Sequence, residues 1–128
     1  MPAKKDQQTT DDCQRSRCPV SSFLDILGDK WTLLVVRDLF FGKHTFKELQ
    51  ASLEKIPSNI LADRLKRLEA QDIITRELYQ ERPKRYGYHL TDKGKELKPV
   101  MRSLIEWSNK YIPCTYDVKE IEKRLPKE

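Results

Sequence analysis

Apolar side chains recur at three- and four-residue intervals through the first third of the chain, which is the spacing of amphipathic helices. This spacing predicts a helix at 21–28, capped by Ser21 or Ser22, and a second helix at 29–42. Asp29 suits the start of the second helix because its carboxylate can accept from the free amides there. The predicted inner faces hold Phe23, Leu24 and Leu27 in the first helix and Trp31, Leu34, Val35, Leu39 and Phe40 in the second.

A second pair of helices follows. In "HTFKELQASL" at 44–53, Thr45 and Glu48 have the spacing of a capping box, in which the side chain of each residue accepts from the backbone N–H of the other. After the short turn "EKIP", the run "SNILADRLKRLEA" at 58–70 predicts the second helix of the pair. The predicted buried residues are Phe46, Leu49 and Leu53 in the first of these helices and Leu61, Leu65 and Leu68 in the second.

The hydrophobic period changes from helical to two after residue 72. β-branched and aromatic residues dominate "IITRELYQ" at 73–80 and "RYGYHLT" at 85–91, with Pro83 in the polar turn between them. These runs predict a β-hairpin with a basic tip. Thr91 then suits the cap of a long C-terminal helix, and Pro99 within that helix predicts a kink, because proline removes a backbone hydrogen bond.

The order of these elements predicts a mainly α (α+β) fold, a winged helix–turn–helix with a long C-terminal helix. Residues 18–112 are predicted to form the domain. A flexible N-terminal arm at 1–17 precedes it, because that stretch is polar and lacks periodicity. A tail at 113–128 follows, with a short helix predicted at 117–125.

The outer face of the helix at 58–70 is a candidate DNA-reading surface. In a helix–turn–helix protein the second helix enters the major groove, where Asn59 has the chemistry to reach a base edge and Ala62 a thymine methyl. Asp63 opposes a polyanion unless it meets a cytosine amine or an internal arginine. A merely solvated face is the alternative. The candidate contacts are Ser58, Asn59, Ala62, Asp63, Arg64, Lys66 and Arg67.

The hairpin tip at 80–86 is a second candidate DNA contact. Its cations fall within four residues, and a basic wing can enter the minor groove or hold phosphates. A solubilising loop stiffened by proline is the alternative. The candidate contacts are Arg82, Lys84, Arg85 and Tyr86 in the wing, with Lys43, His44 and Thr45 at the start of the first motif helix.

Charge and composition narrow the function classes. The chain has 128 residues and a formal net charge of +5, which weakly favours a polyanionic partner. No apolar run approaches the roughly 18 residues of a membrane span, and the N-terminus lacks a secretion signal, so we expect a cytoplasmic protein without membrane contact. Four glycines and two histidines leave no phosphate-binding loop, catalytic triad or complete zinc site to argue for. We therefore expect no enzyme activity, metal or cofactor.

Several stretches together resemble the HxlR-type family of bacterial winged helix–turn–helix regulators. They are "CPV" at 18–20, "LGDKWTLLVVRDL" at 27–39, "FKEL" at 46–49, "LADRLKRLEAQDII" at 61–74, "YHLTDKG" at 88–94 and "ELKPVMRSLIEW" at 96–107. The resemblance implies a homodimeric transcription factor that binds an inverted repeat in double-stranded DNA, with the hairpin in the minor groove. It also implies dimerisation through the first helix and the long C-terminal helix.

The dimer has independent support in the apolar pattern, because the stripe on the long helix is wide and the short first helix cannot be stable alone. A long helix that only covers its own domain is the alternative. The predicted dimer contacts are Phe23, Leu24, Leu27, Leu104, Trp107, Ser108 and Tyr111.

Cys18 is the candidate redox sensor. The resemblance implies a cysteine near the start of the first helix that responds to oxidants or electrophiles, and Cys18 occupies that place. A helix N-terminus and the nearby Arg15 and Arg17 also favour the thiolate. A small apolar residue at the dimer seam is the alternative. A small-molecule or electrophile effector is thus expected. If the surface bound no DNA, a protein-interaction module would be the other function class.

Overall fold

The computed structural model describes residues 16–115, which form six helices and a two-stranded sheet. The predicted fold class is confirmed. The predicted short helix at 117–125 lies outside the described residues, as does most of the arm at 1–17. The elements are α1 (Pro19–Leu27), α2 (Thr32–Phe40), α3 (Phe46–Gln50), α4 (Ser58–Ala70), β1 (Ile74–Glu81), β2 (Lys84–Leu90), α5 (Asp92–Lys95) and α6 (Lys98–Tyr111).

The first helix starts earlier than its serines predict. Cys18, in extended conformation, is the N-cap residue of α1, and Pro19 is the first helical residue. Proline suits this position because its missing N–H would have no partner in the helix anyway. The prediction of a cap at Ser21 or Ser22 was therefore wrong, and the correct start places Cys18 at the helix N-terminus.

Asp29 accepts from the first amides of α2 as predicted, although the N-cap position itself is Trp31 and the helix begins only at Thr32. Its Oδ2 accepts from the backbone N–H of Trp31 at 3.1 Å and of Thr32 at 3.3 Å. The capping box of α3 is also confirmed, since Glu48 donates its backbone N–H to the Thr45 hydroxyl at 3.1 Å while its carboxylate accepts from the Thr45 amide. Local polar chemistry thus starts both helices.

The core is built around α4. Leu61, Leu65 and Leu68 are all at most 3% exposed and pack with apolar residues from α2, α3 and β1. Each such burial contributes about 1.5–3 kcal/mol of hydrophobic stabilisation. Leu53 was predicted to join this core but is 77% exposed. The helix α3 ends at Gln50, so the turn that follows takes Leu53 off the helix's inner face.

The hairpin is antiparallel, with register from Ile74 opposite Leu90 to Glu81 opposite Lys84. A turn at 82–83 connects the strands, as predicted. An isolated bridge between Thr45 and Gly87, together with a 2.7 Å bond from the Tyr88 amide to the His44 carbonyl, joins β2 to the segment before α3. The wing is therefore fastened to the helix–turn–helix through its second strand.

The predicted long helix is divided in two. Thr91 caps the short α5, accepting from the Gly94 amide at 3.0 Å, and α6 begins separately at Lys98. Pro99 is in the first turn of α6, where proline needs no backbone hydrogen bond. The predicted kink at Pro99 was therefore wrong. Among the described helices, none has the length and apolar character needed to cross a bilayer.

Candidate nucleic-acid interface

The outer face of α4 presents small polar and charged side chains to solvent. Asn59 lies opposite the buried leucines, Ser58 and Asn59 are both exposed in the first turn, and no acidic residue lies in that turn. The positive end of the helix dipole is therefore uncompensated by side-chain charge. The remaining exposed residues of this face are Ala62, Asp63, Lys66 and Arg67.

Arg64 differs from its neighbours because it belongs to an internal ion pair. Its Nε donates to Asp29 at 2.8 Å, and the Arg64 side chain is only 18% exposed. The hydrogen bond from Arg64 to Asp29 is the main cause that raises the pKa of the guanidinium. This pair ties α4 to the residues that start α2, 35 positions earlier in the chain.

Asp29 itself is held ionised. Burial acts to raise the pKa of Asp29, but hydrogen bonds from Thr32 and Arg64 outweigh it and hold the pKa below its usual value. The carboxylate thus serves both as the cap of α2 and as the anchor of Arg64. Its two roles link the start of α2 to the middle of α4.

The electrostatic objection raised by Asp63 has a structural answer. Its carboxylate contacts the Arg64 guanidinium directly and lies 3.7 Å from Arg67. Asp63 thus has two arginine partners within the protein, one of which, Arg64, it shares with Asp29. A cytosine amine and an internal arginine were the two predicted partners of Asp63, and the internal arginine is present in the free protein.

The tip of the wing carries cations without internal partners. Arg82, Lys84 and Arg85 are exposed, and they take part in none of the ion pairs found within residues 16–115. Tyr86 is half-buried beneath the guanidinium of Arg76, which lies 4.2 Å from the ring centroid. The tip of the wing thus presents three positive charges that no described side chain neutralises, next to the contact between Arg76 and Tyr86.

The segment before α3 holds the remaining predicted contacts. Lys43 is partly exposed, and His44 stacks on His89 of the wing with ring centroids 5.6 Å apart. The Thr45 side chain is committed to its capping box. Lys43 is therefore the residue of this segment that is freest to meet a phosphate.

Arg76 is a candidate residue that sequence reasoning missed. It lines a groove of about 400 Å³ between α4 and β1, together with Lys66 and Glu69. Its guanidinium lies 3.9 Å from Glu69 and stacks on Tyr86. Strand parity is the signal that could have found it, because Arg76 pairs with Tyr88 and therefore lies on the aromatic face of the hairpin.

The predicted dimer residues separate into two groups. Leu24, Leu104, Trp107 and Tyr111 are 45–60% exposed, whereas Phe23 and Ser108 are half-buried. Leu27 is only 4% exposed and packs in the core of its own chain, which leaves little of its side chain available for the predicted dimer contact. Exposed apolar residues that the prediction omitted are Val20, Val100 and Ile112.

Cys18 and Cys114 are free and exposed. Backbone hydrogen bonds from Ser21 and Val20, the first amides of α1, lower the pKa of the Cys18 thiol. Within residues 16–115, no three His, Cys, Asp or Glu side chains converge as metal ligands. The distinguishing chemistry of Cys18 is therefore that of an accessible thiol at a helix N-terminus.

A capped helix, a tight turn, a second helix with an exposed polar face and a cationic hairpin define the winged helix–turn–helix class of transcriptional regulators. Residues 26–116 match the model of the HxlR-like helix-turn-helix family, and the chain belongs to this family. The family prediction is thus confirmed. Its relatives are transcriptional regulators rather than enzymes.

Three relatives illustrate this placement. The HTH-type transcriptional regulator YvaP of Bacillus subtilis (strain 168) is 36% identical over 104 residues, covering 80% of this chain and 96% of YvaP. The reduced form of the B. subtilis regulator YodB has 31% identity and a TM-score of 0.64, covering 79% of this chain and 100% of that one. The redox regulator HypR in its oxidized form has 32% identity and a TM-score of 0.66, covering 78% and 99%.

Proposed function

We propose that this protein is a homodimeric, sequence-specific DNA-binding regulator that recognises an inverted repeat. In this proposal α4 lies in the major groove with Ser58 and Asn59 at base edges. The observation that carries it is that some cations of α4 are paired within the protein while others, on α4 and on the wing, are exposed. Arg64 is paired within the protein, while Lys66 and the wing cations are exposed and have no internal partner among the described residues.

The wing serves as a backbone or minor-groove contact. We expect these three exposed cations to contact phosphates mainly, because such contacts attract positive charge whatever the sequence and fix the position of the protein on the duplex. Lys43 extends the same function to the start of α3. These contacts supply affinity and register, and α4 supplies the choice of sequence.

Dimerisation rests on the outer face of α6. At about 100° per residue, Val100, Leu104, Trp107 and Tyr111 lie within a narrow arc, roughly a quarter turn from the buried Met101. The helix therefore has one apolar face for its own core and another that residues 16–115 leave exposed. A two-fold axis at the second face would present two copies of α4 to successive major grooves, about one DNA turn apart.

The test is selection of binding sites from a random duplex pool by the full-length protein. We expect an inverted repeat, and we call the strongest duplex recovered the selected duplex. Asn59→Ala should change the preferred base at one position of each half-site. Lys84→Ala or Arg85→Ala should instead weaken binding to all sequences and lower the salt dependence by about one phosphate contact for each half-site.

Lys93→Ala is the matched control for the wing variants. It removes one exposed positive charge whose Nζ bonds the Gln71 carbonyl at 2.7 Å, at the end of α4 opposite Ser58. It should leave both affinity and salt dependence close to those of the parent. If Asn59, Lys84 and Arg85 variants all bound like the parent, the assignment of α4 and wing would be wrong. Retention of no duplex at low salt would favour the protein-interaction module.

We further propose that Cys18 makes DNA affinity responsive to electrophiles. Its exposure, its place at the N-terminus of α1 and its lowered pKa support this role, as does similarity to the redox regulator HypR. With 1,4-benzoquinone, the thiolate adds to a ring carbon; the proton of that carbon and one proton from solvent end on the two ring oxygens, giving a hydroquinone thioether. No separate oxidant is needed for this step.

The quinone should change affinity for the selected duplex in the parent and in the Cys114→Ser variant, but not in the Cys18→Ser variant. Because the exposed Cys114 can also react, the intact mass of the parent should show one more quinone than that of Cys18→Ser at the same dose, and only that adduct should accompany the change in affinity. An equal response in Cys18→Ser would contradict the assignment.

A further inference from the structure

A cavity lies between the end of α2, the second strand of the wing and the start of α6. Its volume is about 360 Å³, within the usual range for small-molecule sites. Its apolar lining comes from Leu39 and Phe40 of α2 and from Leu90 of β2, with the half-buried Tyr88 beside them. Such a lining suits the flat body of an aromatic ligand.

The polar part of the lining has a single sign of charge. Lys43, Lys95 and Lys98 come from three different segments and reach this cavity, and no acidic side chain lines it. None of these lysines takes part in an ion pair within the described part of the chain. Three lysines that line one cavity without a carboxylate provide the complement of an anion.

We propose that this cavity binds a small aromatic carboxylate, with its ring against Phe40 and Tyr88 and its carboxylate among Lys43, Lys95 and Lys98. An inorganic anion would use the charges but leave the apolar lining uncovered. A neutral aromatic molecule would do the reverse. The combination of both features in one cavity selects an organic anion.

The cavity is also connected to the proposed DNA-binding surface. Lys43 and His44 border the cavity, and the His44 carbonyl accepts from the Tyr88 amide of the wing at 2.7 Å. An occupant would draw Lys43 away from the phosphate it is proposed to meet. Binding of the carboxylate should therefore weaken DNA binding, and by thermodynamic linkage DNA should weaken carboxylate binding equally. This effect on DNA rests on the proposed function, whereas the binding site itself does not.

Binding is tested without DNA, by calorimetric or NMR titration of the full-length protein with benzoate. Benzamide, which has the same ring without the charge, should bind at least about tenfold more weakly, as should inorganic phosphate. The double variant Lys95→Ala with Lys98→Ala should lose about tenfold or more in benzoate affinity. Lys93→Ala, which removes a charge from α5 outside the cavity, should bind like the parent.

Equal binding of benzamide and benzoate, or unchanged benzoate binding by the double variant, would overturn the site. Preferential binding of phosphate would overturn the aromatic part of the proposal. A thermal melt of each variant separates a lost contact from a lost fold, and the single Lys95→Ala and Lys98→Ala variants provide a second comparison if the double variant melts early.

The link to DNA is tested with the selected duplex. Benzoate should weaken the parent's binding, and the Lys95→Ala, Lys98→Ala double variant should keep its DNA affinity without benzoate but lose the response. Reduced DNA affinity of that variant without benzoate would instead identify these lysines as phosphate contacts and overturn the ligand role. Because the benzoate titration needs no DNA, its outcome stands even if no duplex is bound.

Discussion

The helices α4 and α6 are nearly equal in length, with 13 and 14 residues, and both are amphipathic, yet their apolar faces have different fates. The stripe of α4 is buried completely, with Leu61, Leu65 and Leu68 at most 3% exposed. On α6 only Met101 is buried, and Trp107 is 60% exposed. Within the described part of the chain, the core is thus complete around α4, and an apolar face is left uncovered at α6.

Polar contacts also connect α4 to the rest of the domain. Arg64 of α4 is bonded to Asp29. Arg37 of α2 donates two hydrogen bonds, of 2.8 and 2.9 Å, to Glu54 in the turn before α4. These pairs restrain α4 within the domain, and the proposed reading of bases by α4 would need such a restraint. An amphipathic pattern therefore predicts that a face will be buried, but it does not indicate which chain will cover it.

The largest expected effect comes from shortening one leucine on each helix. Leu65→Ala should lower the free energy of unfolding by about 2–5 kcal/mol, because it leaves a cavity in a filled core. Leu104→Ala should cost the isolated chain about 0.5 kcal/mol or less, because that side chain is 45% exposed. Urea titrations measure both.

Protein concentration sharpens this comparison. The loss in Leu65→Ala should be the same at every concentration, whereas the loss in Leu104→Ala should grow as concentration rises and the parent dimerises. Equal losses in the two variants at low concentration would show that α6 is packed within its own chain.

The next effect concerns association itself. Trp107→Ala should weaken dimerisation by about 2 kcal/mol or more, since an exposed tryptophan at the centre of an apolar face is a typical hot spot. Sedimentation equilibrium measures the change. Glu106→Ala, on the opposite side of α6, is the control and should leave the dimer unchanged; a matching loss there would implicate general destabilisation.

A smaller effect is expected from the anchor of α4. Asp29→Asn keeps an oxygen to cap α2 but removes the charge that holds Arg64, so stability should fall by about 1–2 kcal/mol. Thermal unfolding at neutral pH provides the measurement. Asp92→Asn removes an exposed carboxylate at the start of α5 and should cost only a few tenths of a kcal/mol. Equal costs would mean that the Asp29–Arg64 pair adds nothing beyond a helix cap.

The smallest effect is a dependence on pH. The hydrogen bond from Arg37 is the main cause that lowers the pKa of Glu54 from 4.5 to about 2. A lowered pKa stabilises the fold fully above pH 4.5, and the contribution is lost as the pH falls from 4.5 towards 2. Because Glu54 is 38% exposed, solvent screening keeps the contribution below about 1 kcal/mol.

The melting temperature of Glu54→Gln should therefore lie below that of the parent at pH 7, and the gap should close on acidification. Glu96→Gln is the control, because Glu96 makes none of the ion pairs seen between residues 16 and 115. A gap that widened on acidification would contradict the sign of the lowered pKa.

Local signals allowed much of this fold to be predicted. The capping box of Thr45 and Glu48 depends on residues three apart, and the change of period after residue 72 located both strands to within a residue or two. The errors arose where tertiary context decides. Leu53 follows a helix end that no glycine marks, and Pro99 starts a helix that the pattern had merged with α5.

The candidate site was predictable in composition but not in its internal pairing. The exposed polar face of α4 and the basic tip of the wing follow from periodicity alone. The pairing of Arg64 with Asp29 joins residues 35 positions apart, and the convergence of Lys43, Lys95 and Lys98 depends on how three elements pack. Such long-range contacts leave no periodic trace in a sequence.

Sedimentation velocity of the full-length protein with a fluorescently labelled selected duplex tests most directly whether two chains bind one duplex together. We expect a complex of two chains per duplex for the parent, and no stable complex for Trp107→Ala at concentrations where that variant is monomeric. A complex of one chain per duplex, with equal affinity in the parent and in Trp107→Ala, would contradict the proposal that two chains joined through α6 read the DNA together.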